Sequence, residues 1–95
     1  MDVRRTGIGV VVINWNGLAD TNVCLESLVA AAPGPARIIV VDNGSTDDSV
    51  EGLRAWQAAR HGPAKPAVTI LESSTNRGFS GANNLGVECL RSDPA

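Results

Sequence analysis

This 95-residue chain has no basic excess, no long apolar run and no paired-cysteine motif, and each absence removes a class of function. Lys and Arg number 8 against 10 Asp and Glu, for a net charge of −2. Binding along a phosphate backbone draws on clustered Lys and Arg, so a nucleic-acid partner is disfavoured. No stretch approaches the roughly 20 consecutive apolar residues that span a bilayer. The opening MDVRRTG leads directly into a strand-like run broken by Asn14, so no membrane span is expected. A cytoplasmic location is the expectation, with the inner face of a membrane left open for a longer parent protein. Cys24 and Cys89 lie far apart and share no C-x-x-C spacing, which fits reduced thiols on helix faces better than a disulfide or zinc framework. There is no linker, internal repeat or low-complexity segment.

What is present describes a small globular domain. Hydrophobic residues make up 43% and charged residues 19%, which excludes disordered and collagen-like chains. A domain of this size buries about 60 to 65% of the surface its unfolded chain exposes, enough for a modest core.

Apolar blocks alternate with helical patterns along the chain. Ile8 to Ile13, IGVVVI, is nearly continuous and β-rich, as a strand covered on both faces would be. NWNGLAD stops it. From Asp20 or Thr21 to Ala32 the positions Cys24, Leu25, Leu28, Val29 and Ala32 recur at helical spacing until PGP at 33 to 35 ends the pattern. Ile38 to Val41 repeats the strand signature. Val50, Leu53 and Trp56 then mark one stripe of a second helix, ending near Arg60, His61, Gly62 and Pro63, with Trp56 in the core and His61 at a solvated helix end. Val68 to Leu71 reads as a third strand. After the polar loop ESSTNRGFSG, the residues Ala82, Leu85, Cys89 and Leu90 outline a last helix closed by Ser92, Asp93 and Pro94. The order β-α-β-α-β-α predicts an α/β fold: a three-stranded parallel sheet with helices on its faces.

In such sheets ligands collect outside the carboxyl ends of the strands. The residues there are polar: Asn14, Trp15, Asn16 and Gly17 after the first strand, Asp42, Asn43, Gly44 and Ser45 after the second, and Ser73 to Gly78 after the third. Much of DNGSTD reads as turn and cap. Asn43-Gly44 allows positive φ, Ser45 or Thr46 suits a helix N-cap, and Asp47 and Asp48 are favourable in a first helical turn. That reading leaves Asp42 unexplained. A carboxylate at the last position of a buried strand needs a hydrogen-bond partner to offset its desolvation, and a ligand N–H or sugar hydroxyl could be that partner. Trp15 fits packing under the sheet edge and flanking a ligand equally well, and Phe79 is expected to anchor its loop. Ser45 has no His or carboxylate partner at a recognisable spacing, which argues against a nucleophile. NWNGLAD holds neither G-x-G-x-x-G nor G-x-x-x-x-G-K-[ST], so the dinucleotide fingerprint and the P-loop are both absent.

The segments VVVINWNG, IIVVDNGSTDDS and NRGFSGANNLG, in that order, resemble the successive nucleotide-sugar-binding segments of the family-two inverting glycosyltransferases, which have the GT-A fold. The Asn-Trp-Asn-Gly and Gly-Phe-Ser-Gly-Ala-Asn-Asn forms look most like the bacterial branch that contains rhamnosyltransferases and related cell-surface polysaccharide enzymes. The resemblance implies the N-terminal half of a Rossmann-like domain that binds a UDP- or dTDP-sugar. It implies that Asp42, followed by Asn43, accepts a hydrogen bond from the pyrimidine N3–H. Asn14 and Asn16 would line the base and ribose pocket, and Asn76, Gly78, Asn83, Asn84 and Gly86 would shape the wall near ribose and diphosphate. An acceptor-only carboxylate suits the base N–H and repels phosphate, so Asp42 should stand at the far end of the pocket from the diphosphate.

Two departures from the family pattern qualify this. Many relatives carry Arg where this chain has Asn83, so a cationic contact to the diphosphate is missing, with Arg77 as a partial substitute. The resemblance also implies that the Mg or Mn site and the base for the acceptor hydroxyl lie in a segment that follows residue 95. The chain would then cover the first half of the donor-binding domain and be inactive alone, with its first strand an apolar edge open to self-association. A non-catalytic α/β nucleotide-binding or interaction module is the alternative.

Overall fold

The computed structural model describes residues 7–60 and 66–92. His61 and the stops at Gly62-Pro63 and Asp93-Pro94 lie outside the described residues. Six elements follow in the expected order: β1 (Gly9–Asn14), α1 (Leu18–Ala30), β2 (Arg37–Asn43), α2 (Ser49–Ala59), β3 (Ala67–Ser73) and α3 (Gly78–Ser92). The three strands pair in parallel in the order β1-β2-β3.

The central strand sorts its side chains by the two-residue period of a pleated strand. Ile38 and Val40 join Leu25, Leu53, Trp56 and Ile70 beneath α1 and α2, while Ile39 and Val41 meet Ala82 of α3 on the other face. All four of these β2 residues are completely buried. Burying a large aliphatic side chain is worth about 1.5 to 3 kcal/mol, so β2 anchors both layers. The α1–α2 layer has a polar tie as well. Glu26 Oε2 accepts from the Trp56 indole N–H at 2.7 Å and from Arg60 Nε at 2.9 Å.

Element boundaries differ from expectation where glycines interrupt the pattern. α1 begins at Leu18, with Gly17 as N-cap, and its Gly17 carbonyl accepts from Thr21 N–H at 2.9 Å. Leu18 packs on the core, whereas Cys24, expected on the apolar stripe, is exposed, and the helix stops before Ala32. α3 takes in Gly78, Phe79, Ser80 and Gly81, four residues assigned above to a loop. Gly86, deeper in α3, lies so close to β1 that a Cβ there would overlap the Val11 side chain. Its absent side chain thus sets how near helix and strand approach.

The parallel register decides the rest. Asn14 is opposite Asp42, Asp42 opposite Glu72, and Asn43 opposite Ser73, so all three strands end level and their following loops share one edge.

Candidate functional site

Two hydrogen-bond clamps tie the three loops together at that edge. The first joins the loops after β1 and β2. Asn14 Nδ2 donates to Asp42 Oδ1 at 2.9 Å and to Ser45 Oγ at 3.3 Å. Ser45 donates its hydroxyl to the same Oδ1 at 2.7 Å and its N–H to Asp42 Oδ2 at 3.0 Å. Asn16, at φ 48°, donates its backbone N–H to Ser45 Oγ at 2.9 Å. Its side-chain Oδ1 accepts from the N–H groups of Thr46 at 2.8 Å and Asp47 at 3.3 Å. Thr21, from the first turn of α1, donates to Asn14 Oδ1 at 2.6 Å.

The second clamp joins the loops after β2 and β3. Asn43 Oδ1 accepts from Arg77 N–H at 2.8 Å, while its amide nitrogen donates to Asn76 Oδ1 at 3.2 Å and to the Gly78 carbonyl at 3.3 Å. Asn76 Oδ1 also accepts from Gly78 N–H at 2.7 Å, which starts α3. Arg77 Nε donates to Ser73 Oγ at 3.0 Å. Gly44 lies between the clamps at φ +81°, and a Cβ there would stand 2.6 Å from the Thr75 carbonyl carbon.

The geometry revises several expectations. Asp42, 1% exposed, draws its compensating donors from the chain itself, namely Asn14 and Ser45, so its burial needs no ligand. Its Oδ1 is saturated, but a carboxylate oxygen has two acceptor positions, and Oδ2 receives a single bond among the described residues. Ser45 and Thr46 bridge loops and do not cap α2, whose N-cap is Asp48 without a side-chain cap bond. Asp47 does serve the start of that helix. Its Oδ1 accepts Ser49 N–H at 2.9 Å, and hydrogen bonding from Ser49 holds its carboxyl below the ordinary value of 3.8.

Asn14, Asn16, Asp42, Asn43, Asn76, Arg77 and Gly78 are therefore brought together in the two clamps. Asn83 and Asn84 are not: both lie on α3 beyond its first turn and make no hydrogen bond to either clamp. Trp15 is 54% exposed and Phe79 74% exposed, so neither packs under the edge nor anchors a loop. Thr21 escaped the sequence reading, because only the fold of α1 back onto β1 brings it to Asn14. Ser45 was visible as polar, but its bonding needs the β1–β2 register.

Charge is divided along the edge. Asp47 and Asp48 are exposed beside the first clamp. Arg77 is exposed beside the second, and among the described residues its bonding engages Nε and leaves the two terminal nitrogens able to meet an anion. The first turn of α3 holds no acidic residue, so its partial positive charge adds to that of Arg77. Among the described residues no group of three or more His, Cys, Asp or Glu could hold a metal ion. No helix among them is long and apolar enough to cross a membrane. A cavity of about 520 Å³ opens at the opposite, amino-terminal edge among Ile8, Gly9, Ala36, Arg37, Ala67 and Leu90, away from the polar loops.

A parallel α/β sheet whose strands all end in interlocked Asn, Asp, Ser and Gly loops has the architecture in which ligands collect outside the carboxyl ends of the strands. The chain belongs to Glycosyl transferase family 2, whose pattern matches residues 9–93. It is 33% identical over 81 residues, 85% of this chain, to the uncharacterized glycosyltransferase YibD of Escherichia coli strain K12. It is 26% identical over 80 residues, 84% of this chain, to the low-salt glycan biosynthesis hexosyltransferase Agl10 of Haloferax volcanii. It spans 22% of the length of each of these relatives. No solved structure matches it.

Proposed function

We propose that the carboxyl edge binds the pyrimidine nucleotide of a UDP- or dTDP-sugar, in a transferase that passes the sugar with inversion to a hydroxyl acceptor during cell-surface polysaccharide synthesis. The carrying observation is the division of charge along the edge. A donor of this kind has a neutral base with an N–H at one end and a diphosphate at the other. The acceptor position left on Asp42 Oδ2 suits the first, and the exposed Trp15 lies in the loop that follows β1. Arg77 and the start of α3 suit the second. The similarity to Agl10, a hexosyltransferase of low-salt glycan biosynthesis, supports sugar transfer into a glycan.

Transfer with inversion joins the acceptor oxygen to the anomeric carbon as the bond from that carbon to the diphosphate breaks, while a base takes the hydroxyl proton. The residues of this chain would bind and orient the donor for that step. Mg²⁺ or Mn²⁺ is expected for the whole enzyme, but no cluster among the described residues of this chain fits a metal ion. On this reading the 95-residue chain alone transfers no sugar, and the β1 edge, free of Pro and charge, pairs with a second copy.

Titration calorimetry of the chain with UDP, dTDP, ADP and uridine tests the proposal. The pyrimidine diphosphates should bind more tightly than ADP. Arg77→Ala should weaken UDP by about tenfold, the size of one charge-assisted hydrogen bond, and leave uridine unchanged. Equal binding of ADP and UDP, or no binding of either, would sink the reading.

A further inference from the structure

We propose that Thr21 is a positioning residue for nucleotide recognition: its hydroxyl fixes the Asn14 amide in the orientation that holds Asp42 ready for the base. The inference rests on the donor-binding reading above and extends it to a residue that lies outside the sheet and outside all three loops.

An amide side chain can exchange its oxygen and nitrogen by turning about its last torsion, and its neighbours choose between the two orientations. Asn14 is 1% exposed, so water does not decide. On one side stands Asp42, a carboxylate that accepts only, and it takes Nδ2 at 2.9 Å. That choice turns Asn14 Oδ1 back toward α1, where a buried carbonyl without a donor would be costly. Thr21, itself 7% exposed, supplies the donor at 2.6 Å.

Every donor in the cluster then runs one way. Thr21 gives its proton to Asn14, Asn14 gives its two to Asp42 and Ser45, and Ser45 gives its own to Asp42. Asp42 is the terminus, with the second acceptor position of Oδ2 left for a ligand N–H. Without the Thr21 hydroxyl, Asn14 loses one of the three bonds that oppose its rotation, and its buried Oδ1 is left without a donor. Asp42 then follows its shifting partner, and the ligand-facing lone pair moves out of line.

The test uses the 95-residue chain, with UDP affinity and thermal stability measured side by side. Thr21→Val preserves the shape of the side chain and deletes the donor. It should weaken UDP by about five- to tenfold, one hydrogen bond's worth, at a temperature far below its Tm. Thr21→Ser should restore binding to within about twofold. If Thr21→Val does not fold, Thr21→Ala takes its place. In wild type, the Asn14 side-chain amide resonances should shift as UDP is added. Wild-type affinity in a folded Thr21→Val or Thr21→Ala variant would reduce Thr21 to a structural role and overturn the proposal, as would Asn14 resonances unmoved at saturation. Absence of UDP binding to wild type would instead overturn the donor-binding reading, and this inference with it.

Discussion

Asn14 Nδ2 stands 2.9 Å from Asp42 Oδ1, and the two residues are register partners at the carboxyl ends of adjacent strands. Backbone pairing and side-chain pairing thus specify the same alignment. Removing the carboxylate leaves the Ser45 N–H and hydroxyl without their acceptor and Asn14 with only its longer bond to Ser45 Oγ. Asp42→Ala should therefore lose about 3 kcal/mol of stability in urea unfolding, on top of any effect on ligand. Calorimetry on the folded fraction separates the two. UDP affinity equal to wild type would leave Asp42 as a clamp residue alone.

Gly44 separates the clamps, and its positive φ and its approach to Thr75 both exclude a side chain. Gly44→Ala combines a backbone conformation that costs about 1 to 3 kcal/mol with an overlap against main chain. Urea unfolding should show a loss at the upper end of that range. A loss below about 0.5 kcal/mol, the size of an ordinary surface change, would mean that the loops are not locked at this point.

The Asp47 carboxyl titrates below 3.8 in the folded chain because Ser49 bonds its ionised form. Its contribution is therefore present above the unfolded value and is lost as pH falls through the folded one. Asp47→Asn should flatten the acid limb of Tm against pH as the pH falls through and below 3.8 while changing little near neutrality. The group is exposed, so added salt should shrink the difference. Identical acid limbs in the two proteins would show that Asp47 contributes nothing there.

Along β1, the run from Val10 to Ile13 contains no Pro and no charge, and its outer edge has no neighbouring strand among the described residues. Light scattering across a wide concentration range should detect association of the 95-residue chain. A strict monomer throughout would rule out pairing through this edge.

Strands were legible because β-branched runs such as Ile38 to Val41 carry their own signature, and the sheet that follows from βαβ order placed the polar loops together. Local chemistry failed at specific residues. Ser45 beside Thr46 looks like a helix cap, but its partners Asn14 and Asn16 lie 31 and 29 residues away in sequence. Gly78 and Gly81 lower helix propensity enough to disguise the first turn of α3, which Asn76 initiates. Asp42 stands out in the sequence as a carboxylate on a buried strand, yet its compensation comes from Asn14, which no local spacing connects to it, and from Ser45.

The two tryptophans occupy opposite environments. Trp56 is 8% exposed with its indole N–H held by Glu26, whereas Trp15 is 54% exposed at the loop edge. The protein consequently has two intrinsic fluorophores with separable spectra: a blue-shifted emitter that reports integrity of the α1–α2 layer, and a red-shifted one that reports events at the carboxyl edge. A nucleotide arriving at that edge would quench the long-wavelength side alone, and melting of the helical layer would redden the short-wavelength side. One emission spectrum can therefore distinguish occupancy from unfolding without any label.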